Sequence, residues 1–264
     1  MNLDHQLKEQ LRTLRLSGFL ESLDLRLQQA QKDSLGYLEF FQLLLQDEVE
    51  RREAKKLNVR LSRACFEEEK TLEGFDFSFN PRINAKVVRD LCRCTFIEKH
   101  EHVLLCGPSG VGKTHIAQAI GHHACRLGYD VLFAKAVKLF RILLAGRADQ
   151  SWEKRMKKYL APDLLIIDDF GPSALTALQA EDFYEIIAER YLRSSIIVTS
   201  NRPPQDWVAL FPDPVMANAA LDRLAHNAYH IILEGDSYCV FRSKSPPEYD
   251  GSRHLIPMHS ATRI

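Results

Sequence analysis

The chain has 264 residues, with 35 Lys plus Arg balanced by 35 Asp plus Glu and 45% apolar side chains. That length allows a full hydrophobic core plus a smaller domain, and the zero net charge excludes a globally basic nucleic-acid binder, so any basic surface must be local. No apolar run approaches a membrane span, and the opening "MNLDHQLKEQ" lacks a signal peptide's apolar segment, so the composition predicts a soluble, cytoplasmic protein.

Residues 1–66 carry helical patterning only. Leu3, Leu7, Leu11 and Leu14 recur at three or four residues, and Gly18 interrupts the pattern. Ser34 is a plausible cap for a helix with Leu38, Phe41 and Leu45 on one face, running through "QDEVERREAKKLNVRL" towards Cys65. Stripes of this kind usually face a core and charged faces usually face water, so the segment predicts a small helical domain and no chemistry. In "TLEGFDFSFNP", which runs from within residues 67–80 to Pro81, three phenylalanines and a proline without helical period predict an anchored linker over 67–80.

From residue 81 helices and strands alternate, which predicts a parallel sheet. Near its start, Cys92, Cys94, His100 and His102 invite a metal reading, but the Cys-x-Cys gap is tighter than metal sites use, and Phe96 and Ile97 look like ordinary packing. Cys106 and Cys125 fall in expected core elements, as reduced cysteines often do.

A strand at Val103 to Cys106 then breaks into "GPSGVGKT" and a helix from Thr114 to Leu127, whose Ile116, Ala119, Ile120 and Ala124 keep helical spacing. Gly107, Gly112, Lys113 and Thr114 fit Gly-x-x-x-x-Gly-Lys-Thr in the strand-to-helix setting that gives the pattern its meaning. Successive N–H groups of Gly110, Val111, Gly112 and Lys113 can face one concavity, because glycine has no Cβ to crowd an anion, and the helix dipole adds to the attraction. Gly107, Pro108, Ser109, Gly110, Val111, Gly112, Lys113 and Thr114 therefore form a predicted cradle for ATP. Lys113 is placed against the β- and γ-phosphates, and the Thr114 hydroxyl on Mg²⁺.

A strand at Val131 to Ala134 and helices in "VKLFRILLAG" and "SWEKRMKKYL" precede the strand "LLIIDD". The C-terminal end of that strand presents Asp168 and Asp169 where open parallel sheets bind ligands. Asp168 is predicted to hold Mg²⁺ through water and Asp169 to orient or deprotonate the attacking water; the plainer alternative is a turn or helix cap. Thr176 with Gln179 forms a capping box, the strand "SIIVTSN" follows, and short strands are expected at His230 to Leu233 and Tyr238 to Phe241, before a loosely attached tail over 245–264.

The order of "GPSGVGKT", "LLIIDDFG", "IIVTSNRPPQDW" and "ANAALDRL", with "LRLSGFLESL" and "TLEGFDF" ahead of them, resembles the IstB transposition helper ATPases of bacterial two-gene insertion sequences, relatives of the DnaC helicase loaders within the AAA+ class. The resemblance covers about residues 3 to 244. It implies a P-loop AAA+ core over 81–244 with a parallel sheet flanked by helices, preceded by the all-helical N-terminal domain; as a departure from many AAA+ proteins, no C-terminal helical lid is expected after that core. It also implies that Asn201 acts as first sensor on the γ-phosphate or attacking water and that Arg223 is an arginine finger acting on a neighbouring subunit. On the residues alone, Asn201 also fits a turn cap and Arg223 a surface charge. Asp169 departs from the glutamate usual at its position in the class, which brings its hydrolysis rate into question.

Between Lys135 and Lys158 lie eight basic residues, Lys135, Lys138, Arg141, Arg147, Lys154, Arg155, Lys157 and Lys158, against Asp149 and Glu153. Such a run is often only a solvated face, but the resemblance places DNA-facing helices here, and sparse aromatics favour duplex backbone contacts with little sequence preference. The reading is an ATP-dependent, DNA-binding regulator of transposition that self-associates on duplex DNA and engages its transposase. A helicase loader, which would bind a hexameric helicase and single strands, and a P-loop kinase for a small metabolite are the alternatives.

Overall fold

The computed structural model describes residues 3–80 and 82–235. The expected strand at Tyr238 to Phe241, the end of the expected core and the expected tail lie outside them.

Three helices come first, α1 (Leu3–Thr13), α2 (Ser17–Asp33) and α3 (Tyr37–Ala64). Leu11, Phe19, Leu23 and Leu44 make a small core of their own. Gly18 does not break a helix but lies within α2, where a Cβ would come 2.6 Å from the Glu48 Cα. Glycine is required there by the close approach of α2 to α3, and the Gly18 N–H donates to the buried Glu48 carboxylate. Ser34 does not start α3; it ends α2 in a left-handed conformation (φ 53°), and Gly36 precedes the first turn of α3 with its N–H donating to Glu39 Oε2 at 3.0 Å. Leu38, Phe41 and Leu45 share a face as expected, but at 84%, 52% and 44% exposure that face is not core, because α2 packs on the Leu44 and Glu48 side instead.

The second half of α3 leaves this cluster. Leu57, Leu61 and Ala64 pack with the main sheet's own core, so one uninterrupted helix reaches from the N-terminal bundle to the sheet.

After α4 (Ala85–Leu91) and α5 (Thr95–Glu98) the chain alternates: β1 (His102–Cys106), α6 (Lys113–Leu127), β2 (Val131–Lys135), α7 (Ala136–Ala148), α8 (Trp152–Leu160), β3 (Leu164–Phe170), α9 (Ala177–Arg190) and β4 (Ser195–Ser200). A 3-10 helix (Pro204–Leu210), α10 (Pro214–Ala225) and β5 (Ala228–Ile232) follow. The five strands are all parallel in the order β2-β3-β4-β1-β5. The last starts two residues before the strand expected at His230 to Leu233.

Alternation sorts the strand side chains into two apolar layers, as a parallel sheet covered on both faces requires. Val103, Leu105, Phe133, Leu164 and Ile166 face α6, α4 and the end of α3, while Leu104, Cys106, Leu165, Ile167 and Val198 face α7 to α10. The capping box of α9 forms as expected, with Thr176 N donating to Gln179 Oε1 at 2.9 Å and Gln179 N to Thr176 Oγ1 at 3.4 Å.

Of the cysteine and histidine cluster, Cys92, Cys94 and His102 are buried in the core and His100 is exposed. His102 is buried, its Nδ1 accepts from Ile196 N at 3.2 Å, and burial pushes its pKa down to about 4, which keeps the ring neutral. Burial pushes the thiols of Cys92 and Cys94 up to about 11 and 12, and no metal-holding group of His, Cys, Asp and Glu exists among the described residues. Among them too, no helix is long and apolar enough to cross a membrane.

Candidate nucleotide site

The C-terminal ends of β1 and β3 meet the N-terminus of α6, and a cavity of about 940 Å³ opens there. The loop between β1 and α6 takes left-handed conformations at its three glycines, Gly107 (φ 149°), Gly110 (φ 83°) and Gly112 (φ 98°). Two of them are also crowded. A Cβ on Gly107 would come 2.0 Å from the Leu233 carbonyl oxygen and one on Gly112 would come 2.6 Å from the Phe75 ring. The loop thus wraps tightly along the cavity with the α6 N-terminus beside it, a conformation in which backbone N–H groups can face a bound anion.

Ser109, Gly110, Val111, Gly112, Lys113 and Thr114 line the cavity. Gly107 and Pro108 complete the turn, their carbonyls accepting from Lys113 Nζ at 2.8 and 2.7 Å. Burial lowers the Lys113 pKa, opposed by the charges of Asp169 and Asp168.

Across the cavity, Thr114 Oγ1 donates to Asp168 Oδ1 at 2.8 Å, joining loop to strand over 54 positions of sequence. Asp168 is only 2% exposed, and burial raises its pKa against the hydrogen bonds from Thr199 and Thr114 that lower it. A threonine hydroxyl beside a buried carboxylate is a set of hard oxygen donors, the chemistry that suits Mg²⁺.

Thr199 is the residue the sequence reading missed. Its hydroxyl donates to Asp168 Oδ1 at 2.6 Å and accepts from Asp169 N at 2.9 Å. The pairing of β3 with β4 slips here, Ile167 lying opposite Val198 and Phe170 opposite Ser200, so Asp168 and Asp169 together face Thr199. This bulge sets Asp169 in a left-handed conformation (φ 56°) with its side chain exposed into the cavity mouth. Asn201 lies one residue past the end of β4, exposed, and does not line the cavity.

The segment 67–80 forms one wall. Glu68, Thr71, Gly74, Phe75, Asp76 and Asn80 all line the cavity. Phe66 stacks on His122 at 4.1 Å between centroids, His115 Nε2 sits 2.8 Å from the Thr71 carbonyl, and the Phe75 ring meets His115 edge-on at 5.1 Å. The anchoring was legible in the phenylalanines of "TLEGFDFSFNP"; the destination was not.

The remaining sequence-derived residues divide. Arg223, in the last turn of α10, is half-buried with its Nη1 donating to Tyr184 Oη at 3.2 Å and the Ala219 carbonyl at 3.1 Å. Lys135 lines the cavity, away from the other basic residues. Arg147 donates to the buried Asp182 at 2.7 Å beside Trp152, and Arg155 is tied to Ser151, Asp149 and the Ile142 carbonyl. Lys138, Arg141, Lys154, Lys157 and Lys158 are exposed, with no ion pair among the described residues.

Comparison with known proteins gives the family and the fold. The family model described as IstB-like ATP binding protein matches residues 9–245. A protein of Mycobacterium tuberculosis, named for ATP binding and an insertion sequence, is 46% identical over 89% of this chain and 94% of its own length. The insertion sequence IS21 protein of Pseudomonas aeruginosa, likewise named for ATP binding, is 37% identical over 89% of this chain and 88% of its own. Among solved structures, a crystal structure of DnaI matches with a TM-score of 0.55 and 24% identity over 63% of this chain and 92% of that one. DnaA of Aquifex aeolicus, solved with the ATP analogue AMPPCP, gives 0.54 and 24% over 64% and 51%. These last two likenesses concern the fold.

Proposed function

This chain belongs to the IstB-like ATP-binding protein family of insertion-sequence elements and has the AAA+ P-loop ATPase fold, and on that premise we propose that it is a nucleotide-driven switch that assembles on duplex DNA and serves a transposase. The observation that carries the reading is the Thr114–Asp168 contact of 2.8 Å, which brings the phosphate-loop hydroxyl and the end of β3 to one point.

ATP is the substrate in this reading. The N–H groups from Gly110 to Lys113 bind its phosphates, and Lys113 exchanges the Gly107 and Pro108 carbonyls for β- and γ-phosphate oxygens. Thr114 and Asp168 would hold Mg²⁺, which supplies charge neutralisation on the phosphate oxygens. Asp169 is the carboxylate that orients the attacking water and accepts its proton, while Thr199 holds the Asp169 backbone in place. Thr199 lines the cavity and is bonded to both Asp168 and Asp169, whereas Asn201 does not line it, so the sensing role goes to Thr199 in this reading. Arg223 serves a neighbouring copy, and its bonds to Tyr184 and Ala219 are released on docking.

For DNA, the supported set narrows to Lys138, Arg141, Lys154, Lys157 and Lys158, since Arg147 and Arg155 are committed within the chain. Lys154, Lys157 and Lys158 share one face of α8. The test has two arms. Lys113→Ala should abolish ATP binding in a filter assay and, with it, ATP-dependent assembly on DNA; undiminished binding by the folded variant overturns the nucleotide site. Replacing Lys154, Lys157 and Lys158 by Ala should reduce the salt slope of duplex binding by roughly 2 to 3. An unchanged slope moves the DNA surface off α8.

A further inference from the structure

Lys135 lies at the C-terminal end of β2, in register opposite Asp168 of β3. Its side chain shares the cavity with Lys113, Thr114, Asp168 and Asp169. None of the other seven basic residues of the stretch lines that cavity. The Lys135 ammonium is already engaged, since Nζ sits 2.8 Å from Glu67 Oε2. Glu67 is the first residue of the wall segment, three positions after the end of α3.

Both partners of this pair are about half exposed, at 47% each, and a half-exposed pair is a weak bond that a stronger anion displaces. A lysine is a point charge on a flexible stem, able to turn from one anion to another without backbone movement. On the cavity side lie the carboxylates of Asp168 and Asp169, which line the same cavity and whose charges act on Lys135. Phosphates cradled by the loop would add further negative charge on that side. A terminal phosphate carries close to two negative charges, against one on Glu67.

Resting on the nucleotide reading above, we propose that Lys135 is a second phosphate-contacting cation of the site, and that Glu67 competes with the γ-phosphate of ATP for it. ATP then draws Lys135 away and frees Glu67 and the start of the wall segment behind α3. ADP lacks the third phosphate and leaves the pair closed. The pair thus distinguishes the two nucleotides and passes the difference to the N-terminal helices.

The proposal makes opposite demands on the two partners. In titrations of the full chain with fluorescent ATP and ADP, Lys135→Met should weaken ATP about tenfold while leaving ADP within about twofold, the loss of one charge-assisted contact. Glu67→Gln removes the competitor and should tighten ATP by about two- to fivefold. In the double variant the Glu67→Gln gain should vanish. A pair that only fastens the wall segment would shift ATP affinity in the same direction in both single variants and carry ADP with it; that result overturns the proposal, as does a wild-type preference for ATP in Lys135→Met. Lys113→Ala run alongside keeps the two readings apart. Retained ATP binding there removes the nucleotide site itself, whereas lost binding with an unaltered Lys135→Met removes only the role of Lys135.

Discussion

Thr199→Val replaces a buried hydroxyl by a methyl of similar volume on a strand, so backbone and packing are kept while two hydrogen bonds disappear. The first is the 2.6 Å bond to Asp168 Oδ1, charge-assisted and worth about 1.5–3 kcal/mol; the second is the 2.9 Å bond accepted from Asp169 N, worth about 1 kcal/mol. Together the loss is about 3 kcal/mol, which for a chain of this size lowers the melting temperature by roughly 6–10 °C. ATP affinity should change little, because the loop and Lys113 are untouched. Turnover should fall by about ten- to a hundredfold, because the Asp169 backbone loses the anchor that aims its carboxylate. Calorimetric melting and phosphate release measure the two effects, and Thr199→Ser, which keeps the hydroxyl, should recover most of both. A melting temperature within about 1 °C of the parent together with normal turnover would refute the bridging role of this hydroxyl.

Two further outcomes follow from the carboxylates of β3. Asp169→Asn keeps a residue type that tolerates the left-handed φ of 56°, so ATP should still bind while phosphate release falls about 10²-fold; Asp169→Glu lengthens the side chain but costs about 1–2 kcal/mol of backbone strain, visible on melting, and should not raise turnover. Burial holds the Asp168 pKa above its ordinary 3.8, so the folded chain takes up this proton more readily than the unfolded one. Its contribution to stability is therefore complete below the ordinary value and lost as pH rises through the folded value. Asp168→Asn, whose Oδ1 still accepts from Thr114 and Thr199, should melt above the parent at neutral pH without nucleotide, lose that advantage near pH 4, and show no cation-dependent turnover. A variant that melts lower at neutral pH would mean that the ionised carboxylate stabilises the fold.

The phosphate loop, α6 and β3 were legible because each is a local pattern: an apolar run, a glycine break, an apolar period of three to four. Thr199 was not, because its role depends on a one-residue slip between β3 and β4, and pairing register is not written in either strand alone. Proximity in sequence groups Lys135 with α7 and α8, yet β2 runs one residue further than expected and its last residue lines the cavity. Arg147 and Arg155 look like free charges in the sequence, since the buried Asp182 and the Ile142 carbonyl that engage them are 35 and 13 residues away. Near the N-terminus, Ser34 is a good cap by type, but a left-handed residue ends the preceding helix there and leaves Gly36 to open the next.

The 28 residues of α3 form a rod about 42 Å long, held by α2 around Leu44 and Glu48 and by the sheet's core at Leu57, Leu61 and Ala64. The N-terminal bundle and the ATPase core therefore meet through a lever with no joint at the border between them. A tilt of about 10° at the Ala64 end sweeps the Tyr37 end through roughly 7 Å. Any sub-ångström adjustment at the wall of the candidate nucleotide cavity, where that rod hands over to Glu67, would be geared up at the far tip, where Tyr37, Leu38 and Phe41 stand exposed.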